Sequence, residues 1–157
     1  MKSKVSLGVD IGSTTIKMVG MDETRTVLFT RYRRHYSDIK NSFIAMIEES
    51  KDFFTNHYVS IVLSGSAGLG IAKKLEFPFV QEVIASTHAI EAWLPNTDVA
   101  IELGGEDAKI TYFGETLEQR MNGTCAGGTG SFIDQMAILL QTDAQGLNEY
   151  AKSFKTI

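Results

Sequence analysis

Cysteine is almost absent from this chain: Cys125 stands alone among 157 residues. A lone thiol forms no internal disulfide, which agrees with a reducing compartment, and it cannot by itself build a four-thiolate metal site. Long apolar runs are missing too. The longest fall well short of the ~18 residues that a membrane-spanning helix needs, and the polar N-terminus enters a strand at once, so the chain reads as cytoplasmic with no membrane partner. Basic clusters are equally scarce. Fifteen Lys and Arg face nineteen Asp and Glu, a net charge of -4, and only Arg31, Arg33 and Arg34 group together. They alternate with Thr30, Tyr32 and His35 in a strand-like run that reads as a solvated face, which excludes a nucleic-acid surface. The apolar share of 43% is nevertheless enough for an ordinary core, so nothing reads as disordered.

What is present is a repeated motif. Asp10-Ile11-Gly12-Ser13-Thr14-Thr15-Ile16-Lys17 and Glu102-Leu103-Gly104-Gly105-Glu106-Asp107-Ala108-Lys109 align without a gap as acid, aliphatic, glycine, small residue, two polar residues, small or aliphatic, lysine. Each follows a β-type run (Val5 to Val9, Asp98 to Ile101) and precedes another (Ile16 to Met21, Lys109 to Phe113), so each glycine falls at a hairpin turn. Such a turn suits phosphate: its amides form a nest, glycine lets an anion approach, and the acid at the strand end can hold a hydrated cation. Two such turns facing one another would grip nucleotide phosphates from both sides. A turn acid taken alone is ordinary; the matched context makes Asp10 and Glu102 candidate catalytic residues. Gly12, Ser13, Thr14, Thr15 and Lys17 are the cofactor-binding candidates of the first turn, and Gly104, Gly105, Glu106 and Asp107 those of the second. Lys17 and Lys109 read equally well as solvent-facing strand lysines.

Around these turns the spacing predicts an α/β chain with mixed sheets. A third strand, Val27 to Tyr32, ends at the capping pair Ser37 and Asp38. A helix follows whose Ile39, Phe43, Met46, Ile47 and Phe53 or Phe54 share one face. A buried-type strand from Tyr58 to Leu63 closes on the small-residue turn Ser64-Gly65-Ser66-Ala67-Gly68, with helices expected over about 69–75 and 81–93. Pro95-Asn96-Thr97 marks a hinge, dividing residues 1–96 from 97–157. The second part repeats strand, glycine turn, strand and a third strand around 116–121, then helices over about 131–141 and 144–153. It lacks a strand matching Val59 to Leu63, which would leave an open sheet edge, so the chain reads as the N-terminal piece of a longer protein, the alternative being a stand-alone domain with a helical arm.

Asn122-Gly123-Thr124-Cys125-Ala126-Gly127-Gly128-Thr129-Gly130 sets the cysteine among small residues just before a helix N-terminus, whose partial charge favours thiolate. Cys125 reads as a buried structural thiol, as a metal ligand completed from a second subunit or from beyond residue 157, or as a nucleophile if His35, His57 or His88 approaches it.

These segments together, with Gly8 to Lys17, Ser64 to Gly68, Glu102 to Lys109 and Asn122 to Gly130 in that order, resemble the ATP-dependent activators of 2-hydroxyacyl-CoA dehydratases and the ATPase subunits of benzoyl-CoA reductase. That family lies in the superfamily of actin, sugar kinases and heat-shock chaperone ATPases. The resemblance covers essentially the whole chain. It implies an actin-like ATPase of two ribonuclease H-like domains, one complete and one begun, with ATP and Mg²⁺ in the cleft between them. It further implies a homodimer sharing one 4Fe-4S cluster, with two cysteines from each subunit. Hydrolysis would then drive a low-potential electron into a dehydratase or reductase, carried on a separate chain or the same one, after a ferredoxin or flavodoxin has supplied it. Carried over by position, Asp10 would hold magnesium and Cys125 would be the first cluster ligand. The helix beginning near Gly130 would relay the nucleotide state. Glu102 departs from the aspartate common in the family, and its longer side chain would shift the metal-bound water. A small-molecule kinase of the same superfamily, or a non-enzymatic ATP-dependent assembly protein, are the competing readings.

Overall fold

The computed structural model describes residues 2–123 and 127–155. The chain divides into two compact units, Met1–Pro95 and Asn96–Ile157.

In the first unit β1 (Ser3–Ile11), β2 (Thr15–Met21) and β3 (Val27–Arg34) form an antiparallel meander. Helices α1 (Ile39–Glu49) and α2 (Lys51–Asn56) then carry the chain to β4 (His57–Ser64), which pairs parallel to β1, giving the order β3-β2-β1-β4. Helices α3 (Gly68–Leu75) and α4 (Glu82–Trp93) complete the unit. The period-2 alternation of β1 buries Val5, Leu7, Val9 and Ile11. Ile16, Met18, Phe29 and Leu63 from the neighbouring strands join them, and α1 and α2 lay Ile39, Phe43, Met46, Ile47, Phe53 and Phe54 over that face. Each aliphatic side chain fully withdrawn there contributes about 1.5–3 kcal/mol. Phe29 stacks on Phe53 with centroids 4.5 Å apart, and Phe53 on His57 at 4.4 Å.

Asp38 caps α1 by accepting from the Asn41 amide at 3.3 Å. The single helical run expected through Phe54 is instead two helices, because the chain breaks at Ser50, whose amide turns back to the Ile47 and Glu48 carbonyls. The apolar spacing survives the break, so periodicity could not reveal it. The arginine-bearing strand is largely solvated, as its alternation implied: Arg33 pairs with Glu49 at 2.7 Å, and Arg31 lies over the Phe29 ring.

The second unit holds β5 (Val99–Leu103), β6 (Ala108–Tyr112) and β7 (Glu118–Met121) in an antiparallel sheet, followed by α5 (Gly130–Leu139) and α6 (Ala144–Lys152). Asp143 caps α6 through the Gly146 amide at 2.8 Å. Ile101 and Leu103 on β5 and Ile138 and Leu139 on α5 are exposed.

Candidate functional site

The two repeated motifs fold into the same turn. In the first, Asp10 stands opposite Lys17 and Ile11 opposite Ile16, and the Gly12 amide donates to the Thr15 carbonyl at 2.9 Å. In the second, Glu102 stands opposite Lys109 and Leu103 opposite Ala108, and the Gly104 amide donates to the Asp107 carbonyl at 2.8 Å. Register and closing hydrogen bond therefore match position for position.

The cross-strand register also pairs each lysine with the acid of its own turn. Lys17 Nζ donates to Asp10 Oδ2 at 2.8 Å, and Lys109 Nζ to Glu102 Oε1 at 3.2 Å. Partial burial works to lower the Lys17 pKa, but the hydrogen bond and negative charge of Asp10, with smaller contributions from Tyr32 and Glu82, outweigh it and raise the value. Each acid is thus held by the lysine seven residues on, a pairing that motif spacing alone left undecided.

Backbone carbonyls in both turns are drawn away from the loop amides. Around the first, Ile11 O accepts from Ala67 N at 2.9 Å, Thr14 O from His35 N at 3.1 Å, and Gly12 O lies 3.1 Å from His35 Nε2. Around the second, Gly104 O accepts from Gly130 N at 3.1 Å, and Gly105 O from Ser131 N and Ser131 Oγ, both at 2.7 Å. Among the described residues, the amides of Ser13, Thr14, Gly105 and Glu106 donate to no backbone carbonyl. A turn with most of its acceptors engaged and two consecutive amides uncommitted is electrostatically suited to an anion.

The second turn also serves as the cap of α5. Thr129, at the N-cap, is buried and makes no capping bond with its side chain. The first two helical amides are satisfied by the Gly104 and Gly105 carbonyls instead. Upstream, the Asn122 amide donates to Ala108 O at 2.9 Å while Asn122 Oδ1 accepts from Ala108 N at 3.0 Å. Both flanks of the cysteine segment are therefore tied to the second turn, although Cys125 itself lies outside the described residues.

Sequence reading undervalued Gly65. Its φ is +90°, and a Cβ there would collide with the Ile11 carbonyl and the Asp10 carboxylate. Glycine is required for the turn after β4 to pass the end of β1. Beside it, Asp10 Oδ1 and Ser64 Oγ, on cross-strand partners, are buried without a hydrogen-bond partner. Buried polar atoms of that kind call for an explanation. Here a carboxylate oxygen with spare coordination fits a cation such as Mg²⁺, which takes one or two carboxylates and completes its shell with phosphate and water. Among the described residues no three acidic, His or Cys side chains form a metal cage of their own. The donor set of this chain does not fit a 4Fe-4S cluster by itself, since it has one cysteine where four thiolates are usual. The three histidines have other engagements: His35 lies against Gly12, His57 accompanies the Phe53 carbonyl and ring, and His88 lies 3.8 Å from Glu91.

No known family profile matches the chain. It is 27% identical over 161 residues to the (R)-2-hydroxyglutaryl-CoA dehydratase activating ATPase of Acidaminococcus fermentans, a match covering 97% of this chain and 60% of that protein. Among solved structures, the Acidaminococcus fermentans (R)-2-hydroxyglutaryl-CoA dehydratase component A superposes with a TM-score of 0.80 at 24% identity, over 99% of this chain and 61% of that one. The ADPNP-bound activator of the 2-hydroxyisocaproyl-CoA dehydratase from Clostridium difficile gives 0.77 at 20% identity, over 97% of this chain and 58% of that one. The chain thus spans about three fifths of the length of these proteins. Among the described residues no helix is long and apolar enough to cross a membrane. The expected resemblance and fold both hold: the chain is similar to activating ATPases of 2-hydroxyacyl-CoA dehydratases, and it has the actin-like ATPase fold.

Proposed function

We propose that the whole protein is a cytoplasmic, ATP-hydrolysing activator that transfers a low-potential electron from a 4Fe-4S cluster to a CoA-substrate-specific dehydratase or reductase. The observation that carries the nucleotide half is the repeated turn, in which an acid at a strand end, a pair of uncommitted amides and an engaged glycine carbonyl recur at matching positions. The ADPNP bound to the Clostridium difficile activator supports the same reading.

In this account both turns serve one ATP. The amides of Ser13, Thr14, Gly105 and Glu106 stabilise charge on the transferred phosphoryl group, the usual means of catalysis where positioning and electrostatics dominate. Asp10 holds Mg²⁺ through its spare carboxylate oxygen, and Glu102 orients the attacking water. Thr15 and Asp107 close the turns by their carbonyls, while Lys17 and Lys109 limit repulsion between the acids and the phosphates. The 4Fe-4S cluster, when bound, would supply one-electron chemistry. Cys125 is this chain's thiolate for it, with the remaining ligands coming from a homodimeric partner or from outside residues 1–157. Because the second turn caps α5, a change in the turn on hydrolysis would alter the helix N-terminus beside the cysteine segment. Capping interactions are worth about 0.5–2 kcal/mol, enough to bias two positions of a helix. A ferredoxin or flavodoxin is the proposed electron donor.

The test uses two substitutions in the whole protein, purified anaerobically. Asp10→Asn should abolish ATP hydrolysis while leaving iron content and the visible spectrum unchanged, and Cys125→Ala should remove the iron while sparing nucleotide binding. A complete cluster in Cys125→Ala would overturn the ligand assignment, and unimpaired hydrolysis in Asp10→Asn would overturn the nucleotide site.

A further inference from the structure

His35 is a buried imidazole that the proposed chemistry leaves unused. Its exposure is 3%, and it sits at the point where β3 passes into the turn before α1. Its surroundings fix its tautomer. The Ser37 amide lies 3.1 Å from Nδ1, and a backbone N–H can only donate, so Nδ1 must be the acceptor. The ring proton is therefore on Nε2, where it donates to the Gly12 carbonyl at 3.1 Å. The His35 amide meanwhile donates to the Thr14 carbonyl at 3.1 Å. One residue thus holds two of the three carbonyls between Ile11 and Thr15.

The backbone is bent to achieve this. Tyr36 and Ser37 are consecutive non-glycine residues with φ of 47° and 67°, a left-handed conformation such residues rarely adopt. That bend brings the Ser37 amide back onto the ring, while the Asp38 amide returns to the His35 carbonyl at 2.7 Å. Backbone strain of this kind persists where its surroundings over-determine it, and it concentrates at binding sites.

We propose that His35 is a positioning residue for the nucleotide: it holds back the Gly12 and Thr14 carbonyls, leaving the uncommitted Ser13 and Thr14 amides of the first turn to the phosphates. This rests on the nucleotide reading given above, but it assigns a role to a residue outside both repeated motifs. Without the ring, the Gly12 carbonyl is free to rotate towards the phosphates and repel them. The loss expected is about tenfold in affinity, comparable to one hydrogen bond.

The experiment measures Mg·ADP affinity by calorimetry for the whole protein and for His35→Ala and His35→Gln, with chemical denaturation alongside. Glutamine keeps a nitrogen donor near the Nε2 position. His35→Ala should bind about tenfold more weakly, and His35→Gln within about threefold of wild type. Nitrogen-15 spectra of the imidazole, recorded at about pH 8 where a histidine is ordinarily neutral, should show the proton on Nε2. Wild-type affinity in His35→Ala, with or without a fall in stability, overturns the inference while leaving the nucleotide site intact. So does a His35→Gln variant as weak as His35→Ala, or a proton found on Nδ1. If the wild-type protein itself binds no Mg·ADP, the nucleotide reading fails and His35 loses its role with it. The spectroscopic result stands even if His35→Ala does not fold.

Discussion

Replacing Gly12 by alanine separates a glycine kept for the fold from one kept for a ligand. An added Cβ would meet nothing nearer than the Thr15 carbonyl oxygen, at 3.7 Å, which is ordinary contact, and Gly12 is not among the positive-φ residues. The fold therefore tolerates alanine there. Restricting the unfolded chain should stabilise the protein by about 0.4–1 kcal/mol, a rise in Tm of no more than about 4 °C for a chain of this size. A phosphate held against the neighbouring amides would meet the new methyl group, and a displacement of about 1 Å at such a site can cost about a hundredfold. At a concentration of Mg·ADP near 100 times the wild-type Kd, ligand stabilisation is about 2.7 kcal/mol. A hundredfold loss of affinity cuts it to about 0.4 kcal/mol. Thermal melts of wild type and Gly12→Ala, each with and without Mg·ADP, read both quantities. If the variant melts well below wild type in the absence of ligand, or keeps the full ligand-dependent rise, the reasoning is refuted.

Gly65→Ala should behave in the opposite way, because its φ of +90° and its collision with Ile11 and Asp10 make glycine obligatory. A loss on the order of 3 kcal/mol is expected, and a urea midpoint equal to wild type would disprove it. Lys17 gives a prediction at high pH. Asp10 raises the folded-state pKa above the ordinary 10.5 despite the opposing effect of burial, so the stabilisation is fully present below that value and is lost as pH rises through the folded pKa. Denaturation measured from about pH 9 to about pH 11.5 should therefore show wild type losing stability relative to Lys17→Met; parallel curves would count against the ion pair.

The strands around both glycine turns were legible because period-2 alternation and an acid-glycine turn are local signals. The observed β1 to β6 differ from the expected runs by no more than two residues at an end, the usual uncertainty in such limits. Helix α1 could be read from its capping Asp38 and its apolar stripe, but the break at Ser50 could not, since Phe53 and Phe54 keep the stripe going in α2. The candidate site was legible as two motifs and illegible in its supports. Ser64 to Gly68 reads as a small-residue helix start, and nothing in its spacing reveals that Gly65 adopts φ of +90° against Asp10. His35 lies 23 residues from Gly12, and only the β2–β3 pairing, which sets Thr15 opposite Arg34, brings the two together. The bond between Ser131 and Gly105 spans 26 residues and is equally invisible to local pattern.

Whether the two turns act on a single ATP is tested most directly by calorimetric titration of the whole protein with a non-hydrolysable ATP analogue and Mg²⁺. One nucleotide should bind per chain, Asp10→Asn and Glu102→Gln should each weaken that same site, and together they should cost less than the sum of their separate effects. Two nucleotides per chain, or fully additive losses, would contradict the account.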